Sequence, residues 1–468
     1  MSESTGQAAT ATNQQRLGID PIRDIRKLPV SSSVLLGLQH LFAMFGATVL
    51  VPLLTGLDVS TALLMAGLGT LIFHIICKGK IPAFLGSSFA FLGGYAYVAP
   101  MAADGTVNPD QLAMASGGIV AAGLVYLVLA GFIKFFGVTR VMRFFPPVVT
   151  GPIIISIGLI LAPSAIGNAS TDWLLAFIAI FVVIVANIWG KGMVKIIPIM
   201  LGIVAAYIAA LLLNRVDFSI VTQSRVVGLP LVPETFAKFD ISAILTILPI
   251  SLATIMEHIG DVSAIGATTG NNYIAEPGLH RSLMGDGVAT AFSAFFGGPA
   301  NTTYGENTGV LALTKVYDPR VMRIAAVFAV VLSFFPVVSG VIRSIPIAII
   351  GGVSFILYGM ISAIGIRNVV ENQVDFTKSR NLIIAAVILV SALGFNEIGG
   401  LGFMVGTVNV QLSGLAIASI AGVLLNAILP GKDYTFSVEE PQDTGVNFSA
   451  VDTSKEGKAA RPKDEAAK

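Results

Sequence analysis

Two acidic positions with unusual surroundings stand out in a strongly apolar chain. Glu306 lies within residues 301–309, a stretch of amides, hydroxyls and glycines that makes a poor membrane helix. Irregular backbone at membrane depth is tolerated only where protein buries it or where it lines a cavity. Glu257 precedes Asp261 by four residues, which places both carboxylates on one helical face. These residues predict a polar site inside a membrane domain, although residues 301–309 could also form an external loop.

The spacing of Glu257 and Asp261 is typical of a site that binds and releases a proton. Two carboxylates one helical turn apart in a low dielectric repel each other, which favours a state in which one of them holds a proton. Asp261 could instead be a solvated residue near the cytoplasmic end of its helix. His40 could join the same polar cluster or simply hydrogen-bond a buried neighbour. We interpret His74, His258 and Asp286 as structural residues, the last as a carboxylate in the first turns of its helix.

The same residues indicate what kind of ligand would bind. The carboxylates of Glu257 and Glu306 can accept hydrogen bonds from N–H groups, while backbone N–H groups can donate to carbonyls. The aromatic side chains of Phe89 and Tyr304 could pack against a flat ring. A small planar heterocycle with alternating N–H and C=O groups, such as uracil, satisfies this set. Composition alone does not select uracil over another polar heterocycle.

The sequence lacks the motifs of enzyme chemistry. No pair of His or Cys residues has metal-ligand spacing, no glycine-rich loop follows a strand, and no nucleophile elbow occurs. We therefore expect neither an enzyme nor a bound metal or cofactor, apart from H⁺ as a co-transported ion.

The elements that must position these residues are membrane helices. Hydrophobic residues make up 54% of the chain and charged residues 12%, about half the charge of a typical soluble protein. Apolar segments near the length needed to cross a bilayer recur along the chain, and we count about fourteen, the last at residues 405–429. A net charge of +1 indicates no nucleic-acid partner, and Cys77 alone excludes an internal disulfide framework. We predict an all-α polytopic membrane protein surrounded by the lipid bilayer.

Loop charges predict the orientation of these segments. Lys and Arg are concentrated in alternate loops, so the positive-inside rule places both termini in the cytoplasm. An odd number of about seven segments per half gives the halves opposite orientations, as in an inverted repeat. The predicted divisions are a disordered cytoplasmic N-terminus (1–30), a first repeat (31–213), an extracellular loop (214–240), a second repeat (241–430) and a disordered cytoplasmic tail (431–468).

The third segment of each predicted half is short and interrupted. Residues 81–94 and residues 301–309 occupy matching positions, and both contain glycines and hydroxyl side chains. Such a pair is the best sequence indication of a binding site at the membrane midplane. The alternative is that these are two unrelated short helices.

A family resemblance adds to this interpretation. Residues 306–315 read Glu-Asn-Thr-Gly-Val-Leu-Ala-Leu-Thr-Lys and resemble the signature of the nucleobase–ascorbate transporter family, in which Glu or Gln precedes Asn-x-Gly and a later Thr. Residues 79–91 and 278–282 are also similar to that family. The likeness extends from Gln39 and His40 to the last helix.

The resemblance implies core and gate domains, a short strand in each of segments three and ten, proton symport and a homodimer. Glu257 and Glu306 would bind a nucleobase ring through their carboxylates, and the backbones of Phe89 and Gly305 would hydrogen-bond it. The implied substrate-binding residues are Phe89, Glu257, Tyr304, Gly305, Glu306 and, from the gate side, Tyr358. The implied proton-coupling residues are Glu257, Asp261 and, supporting the core, His40.

One position departs from the family pattern. The branch that transports uracil has a His where this chain has Asp261, and an Asp there is more similar to the purine branch. Glu306 favours a pyrimidine, because the purine branch usually has Gln at that position and this residue would touch the substrate edge. We predict a proton-coupled uracil importer of the cytoplasmic membrane that works by alternating access. The alternatives are a xanthine or urate permease, an anion exchanger of the same architecture, and a non-transporting membrane sensor.

Overall fold

The computed structural model is largely helical. It describes residues 20–102, 106–406, 408–431 and 434, with the backbone alone at residues 196, 306, 371 and 405. The predicted disordered tails therefore lie mostly outside the described residues.

The first half contains ten helices and one strand among these residues. In chain order they are α1 (Val30–Thr55), α2 (Val59–Ile76), β1 (Leu85–Ser87), α3 (Leu92–Val98), α4 (Pro109–Phe136), α5 (Val138–Met142), α6 (Pro147–Ala169), α7 (Trp173–Ile188), α8 (Met193–Ile196), α9 (Pro198–Leu212) and α10 (Ser219–Gln223).

The second half adds nine helices and three strands within the described part of the chain. They are α11 (Ile241–Ile247), α12 (Ser251–Thr269), α13 (Leu279–Phe295), β2 (Asn301–Thr303), α14 (Gly305–Thr314), α15 (Arg320–Ser333), α16 (Pro336–Arg343), α17 (Ile347–Glu371), α18 (Ser379–Glu397), β3 (Leu401–Val405), β4 (Val408–Leu412) and α19 (Gly414–Ile428).

The described helices make this a multi-pass membrane protein. Seven spans are long and apolar enough to cross a bilayer, with α11 and α12 together forming one of them. The pair α15 and α16, bent by 85°, would make an eighth, and α7, α9 and α19 are shorter apolar helices. Phe177 and Phe181 on α7 are exposed, as expected of a lipid-facing helix. The count of about fourteen segments stays a prediction.

Polar side chains cap several of these helices where they begin. Asp58 accepts a hydrogen bond from the Thr61 N–H at the start of α2, and Asp240 accepts one from the Ala243 N–H at the start of α11, each at 2.8 Å. A cap of this kind satisfies one of the N–H groups that a helix leaves unpaired in its first turn. These residues thus fix where the helices start.

The two interrupted segments meet as an antiparallel pair of strands. β1 and β2 pair with Leu85 opposite Thr303, Gly86 opposite Thr302 and Ser87 opposite Asn301, and every residue of both strands is buried. The short strands predicted in these two segments are therefore present. Pairing satisfies backbone groups that neither strand could satisfy alone at membrane depth.

The two halves interleave around this strand pair. α6 packs along α17, α4 along α13, and α2 along α15. Small residues allow the close approach of α6 and α17: a Cβ at Gly158 would collide with the Tyr358 carbonyl, and one at Gly365 with the backbone of Ile155. Each pair joins a helix of the first half to one of the second.

The segment before α1 is ordered where the structure describes it, unlike the predicted disordered stretch to residue 30. Ile22 and Ile25 are buried, and Ile22 forms a parallel bridge with Val316 beyond α14. The Ile25 N–H donates to the buried Asp318 carboxylate at 2.8 Å. Burial of these two isoleucines stabilises residues 20–29 in place.

The last predicted membrane segment is wrong in its first part. β3 and β4 form an antiparallel hairpin, and α19 begins only at Gly414. Valines in alternate positions favour extended backbone, and Gly406 turns the chain with a φ of 63°. The apolar composition of this run suits a strand as well as a helix, so composition could not separate them.

Candidate functional site

A cavity of about 40 Å³ lies beside the ends of β1 and β2. Five of the residues predicted from the sequence line it: Phe89, Glu257, Asp261, Tyr304 and Gly305. Ser87, Thr302 and Thr303 add hydroxyl groups, while Ile154 of α6 and Ile361 and Ile364 of α17 form an apolar wall. The cavity thus has one polar wall, built on the strands and α12, and one apolar wall.

The strand ends bring backbone groups of both halves to the cavity. Phe89 follows β1 by two residues, and Gly305 begins α14 immediately after the residue that follows β2. The N-cap residue of α14, Tyr304, makes no side-chain cap hydrogen bond, and the first N–H groups of a helix have no partner within the helix itself. A helix N-terminus also carries a partial positive charge, which favours an electron-rich ligand atom.

Asp261 is part of this wall rather than a solvated residue. Its side chain is 2% exposed, and it accepts a hydrogen bond from the Thr303 hydroxyl at 2.8 Å. Glu257 lies one turn earlier on α12 and lines the same cavity, so the two carboxylates face one space.

Tyr304 holds the strand crossing together. Its hydroxyl donates to the Ser87 carbonyl at 2.9 Å and receives a hydrogen bond from the Thr48 hydroxyl of α1 at 3.3 Å. Its backbone N–H donates to the Phe84 carbonyl at 3.0 Å. Gly86 faces the ring, where a Cβ would come within 2.5 Å of it. The structure therefore gives Tyr304 a bracing position as well as a place in the cavity wall.

Tyr358 and His40 lie outside the set of residues that line the cavity. Tyr358 on α17 is buried against Phe89, with ring centroids 5.9 Å apart and planes at 74°. His40 on α1 contacts Asn307, whose amide nitrogen lies 3.1 Å from both the imidazole Nδ1 and the His40 carbonyl oxygen. This geometry agrees with a buried histidine that hydrogen-bonds a neighbour and supports α14.

Comparison with known proteins decides the family. The permease family matches residues 31–398 of the chain. The uracil permease of Bacillus caldolyticus is 44% identical over 426 residues, covering 88% of this chain and 95% of that protein. The uracil permease of Escherichia coli (strain K12) is 38% identical over 435 residues, covering 91% of this chain and 96% of that protein. The chain belongs to this permease family.

The resemblance to the nucleobase–ascorbate transporters is thus confirmed, and the permease is a transporter rather than an enzyme. The uracil permease of Bacillus subtilis (strain 168) is a further relative, 40% identical over 426 residues, covering 87% of this chain and 94% of that protein.

Two solved structures share the fold of the permease at low sequence identity. SLC26A9 superposes with a TM-score of 0.64 at 13% identity, covering 86% of this chain and 66% of that chain. The transmembrane domain of the cyanobacterial bicarbonate transporter BicA superposes with a TM-score of 0.57 at 16% identity, covering 79% of this chain and 97% of that chain. The shared architecture is that of a polytopic membrane transporter.

Glu306 is placed by its backbone alone. It is the second residue of α14, directly after Gly305, and its side chain lies outside the described part of the structure. Its predicted role in substrate binding therefore stays a prediction.

A buried histidine–aspartate pair between α12 and α13 was missed by sequence reasoning. The His258 Nδ1 and an Asp286 carboxylate oxygen lie 2.8 Å apart, and both side chains are 0% exposed. α13 begins at Leu279, so Asp286 lies two turns inside the helix rather than at its start. The sequence signal was an ionisable residue on each of two neighbouring membrane helices, since such groups usually pair.

Proposed function

We propose that the permease imports uracil across the cytoplasmic membrane by proton symport. The observation that carries the proposal is the meeting of Glu257, Asp261, Phe89 and the start of α14 at one cavity between the two halves. Relatives that match nearly the whole chain are named uracil permeases, which supports the choice of substrate.

The lining groups match the edge of a uracil ring. Glu257 and Glu306 would accept hydrogen bonds from the two ring N–H groups, and backbone groups at Phe89 and Gly305 would bond the ring further. Tyr304 would contact the ring from the strand side, and Tyr358 would reach it from α17 beside Phe89. A ligand that left one of the carboxylates unpaired would lose on the order of 1–3 kcal/mol of binding free energy, so close analogues that lack one N–H group would be rejected.

Transport would require the two cavity walls to separate. A cavity of about 40 Å³ has room for about three water molecules at roughly 10–15 Å³ each, less than a nucleobase needs. The tightly packed α6 and α17 carry the apolar wall and would move as part of the gate domain. β1, β2 and α12 would form part of the core domain. This relative movement would give alternating access.

Proton coupling would act through the carboxylates on α12. The ionised Asp261 accepts from the Thr303 hydroxyl, whereas a protonated Asp261 could donate a hydrogen bond instead. A proton on this residue would therefore change the hydrogen bonding of β2, next to the substrate. Glu257 would exchange the proton with Asp261, and His40 would act indirectly by supporting α14.

The remaining features of the predicted transporter belong to the same proposal. They are about fourteen segments in two inverted repeats, both termini in the cytoplasm, and a homodimer. The alternation of loop charges supports the orientation. The antiparallel pairing of β1 with β2 supports two halves of opposite direction.

Asp261 supports a second candidate, a xanthine or urate permease. The residue lines the cavity, so the departure from the uracil pattern lies at the site itself. An anion exchanger receives less support, because the described cavity wall carries carboxylates and no basic side chain.

Uptake by proteoliposomes tests the proposal. Radiolabelled uracil should accumulate under an imposed inward proton gradient, collapse when the gradient is dissipated, and resist excess unlabelled xanthine. Accumulation that xanthine blocks would establish the purine alternative. Uracil uptake that ignores the proton gradient would refute the coupling but retain the substrate.

A further inference from the structure

A second cavity, of about 300 Å³, is separate from the transport cavity. It lies where α6 and α18 begin and α17 and α19 end. The two cavities share no lining residue: on α6 one reaches Val148 and the other Ile154, about 9 Å further along the helix. The proposed transport function leaves this second cavity without a role.

Its lining carries an excess of positive charge. Arg143, Lys378 and Arg380 line the cavity, and Asp375 is the acidic residue among its lining residues. The hydroxyl and the backbone N–H of Thr377 donate to the Asp375 carboxylate at 2.6 and 2.9 Å, and they hold the pKa of Asp375 below its usual value. Among the lining residues that the structure describes, three are therefore basic and one is acidic.

Arg380 is held rigidly in this cavity. One guanidinium nitrogen donates to the Asn426 carbonyl and amide oxygens at 3.2 and 2.7 Å, and another donates to the Asn381 side chain at 3.1 Å. Asn426 in turn donates to the Arg143 carbonyl at 3.0 Å. This network joins α18, α19 and the segment before α6. These bonds fix the guanidinium charge at the cavity, where it favours an anionic group such as a phosphate.

Two helix starts at this cavity also favour an anion. α6 and α18 both begin at the cavity without a side-chain cap, and in α6 the first residue, Pro147, has no N–H to offer. The first turn of a helix favours a negative group through its unpaired N–H groups and its partial positive charge. The cavity is thus surrounded by two helix starts, by the fixed Arg380 and by the exposed Arg143 and Lys378.

We propose that this cavity is a binding site for a phosphate group. An anionic phospholipid head group and a soluble phosphate compound share the required chemistry, and either would pair with Arg380 at the centre and with Arg143 and Lys378 at the rim. The bound group would join the ends of α6, α17, α18 and α19, and so stabilise the proposed gate domain.

Binding to the purified full-length permease in detergent tests this site. Phosphatidylglycerol is added at increasing concentration and counted by native mass spectrometry, with phosphatidylcholine of the same chain length as the neutral comparison. Inorganic phosphate is then added as a competitor. The variant Arg143→Gln/Lys378→Gln removes two cations from the cavity. The matched variant Lys134→Gln/Arg140→Gln removes two exposed cations that do not line it.

We expect one phosphatidylglycerol per chain to bind more tightly than phosphatidylcholine, and the cavity variant to weaken its binding about tenfold, as loss of roughly 1.4 kcal/mol implies. The Lys134/Arg140 variant and the charge-preserving Arg143→Lys/Lys378→Arg variant should bind normally, which separates lost charge from misfolding. Displacement by inorganic phosphate would indicate a soluble ligand, and its absence a lipid. Equal weakening by both charge-removing variants, or no binding of either probe, would overturn the proposal.

Discussion

Glu257 and His258 are neighbours in sequence but serve different surroundings. Glu257 lines the transport cavity, whereas His258 points to Asp286 on α13. A helix turns by 100° per residue, so adjacent ionisable residues on α12 reach different partners. The Glu257 position and the His258 position on α12 therefore give separate predictions, the first for uptake and the second for stability.

Loss of either proposed substrate carboxylate should abolish uptake. We expect Glu257→Ala and Glu306→Ala to lower uracil uptake at least about a hundredfold, because each removes a charge-assisted hydrogen bond of roughly 1.5–3 kcal/mol and leaves a ring N–H unpaired. Glu276→Ala is the control, since that side chain is 75% exposed and pairs with Lys80 at the surface. Uptake and membrane insertion are measured together. Normal uptake by either variant would remove that glutamate from the site.

The proposed coupling role of Asp261 gives a different result. Asp261→Asn keeps the size of the side chain but cannot bind and release a proton. We expect it to lose accumulation driven by a proton gradient while it retains exchange of labelled for unlabelled uracil. Thr303→Ser, which preserves the hydroxyl that bonds Asp261, should behave like the natural protein. Undiminished accumulation by Asp261→Asn would contradict the coupling role.

The His258–Asp286 pair should matter for stability. Breaking a buried pair by removing one partner costs about 3–5 kcal/mol, because the other partner stays buried alone. We therefore expect Asp286→Leu or His258→Leu to lower the melting temperature in detergent strongly. The double Leu variant should recover part of the loss. A double variant as unstable as the sum of the single variants would show that the two residues do not act as a pair.

The sequence was most informative about residues whose chemistry is rare in a membrane. Glu257, Asp261 and the 301–309 stretch were singled out because polar groups within a membrane are costly and usually serve a function. The expectation for Asp286 was wrong because its helix begins at Leu279, earlier than the apolar run suggested. A helix start depends on caps and packing as well as hydropathy, so the position of Asp286 within α13 could not be read from composition.

At the scale of elements, the crossing of β1 and β2 depends on glycine at one position. A Cβ at Gly86 would lie within 2.5 Å of the Tyr304 ring and 2.7 Å of the Thr48 hydroxyl. We expect Gly86→Ala to displace Tyr304 and to lower uracil affinity about tenfold or more. Gly93→Ala on α3 is the matched change, because a Cβ added there would enter open space. Equal binding by the two variants, measured with labelled uracil, would show that the crossing tolerates movement.

The strands also show where element prediction succeeds and fails. Glycines and hydroxyls indicated that two apolar segments at matching positions are interrupted, and the family resemblance implied that each contains a short strand. The β3–β4 hairpin was not expected, because its sequence is apolar enough to pass for part of a span. The hairpin depends on a contact between distant parts of the chain, because β4 packs against α11. A local sequence pattern does not encode that contact.

At the scale of the whole molecule, alternating access predicts that a link between the two domains stops transport. The Gln411 N–H on β4 donates to the Thr246 hydroxyl on α11 at 3.4 Å. Because α11 forms one span with α12 and β4 leads into α19, this contact joins the proposed core to the proposed gate. In a Cys77→Ala background, we expect a Thr246→Cys/Gln411→Cys disulfide to block uptake until a reductant is added. An Ile155→Cys/Ser362→Cys link within the proposed gate should leave uptake intact. Full uptake with the first link formed would contradict domain movement.

The overall organisation was predictable only in part. Composition indicated a membrane protein. Long apolar segments in a lipid bilayer must satisfy their own backbone hydrogen bonds, and helices do so. Which helices pack together was beyond the sequence, since α6 with α17 and α4 with α13 are contacts between residues far apart in the chain. The ordered segment before α1 was hidden for the same reason, because its partner Val316 lies beyond α14.

The interleaving of the halves has a consequence for how the protein is made. α6 ends at Ala169, but its partner α17 begins only at Ile347. At synthesis rates of about 5–20 residues per second, α6 waits on the order of 10–40 s for its partner. During that interval its small-residue face meets lipid or insertion factors instead of α17. A translation stop between the halves would thus leave helices without partners, and we expect cells to degrade such a fragment rather than keep it.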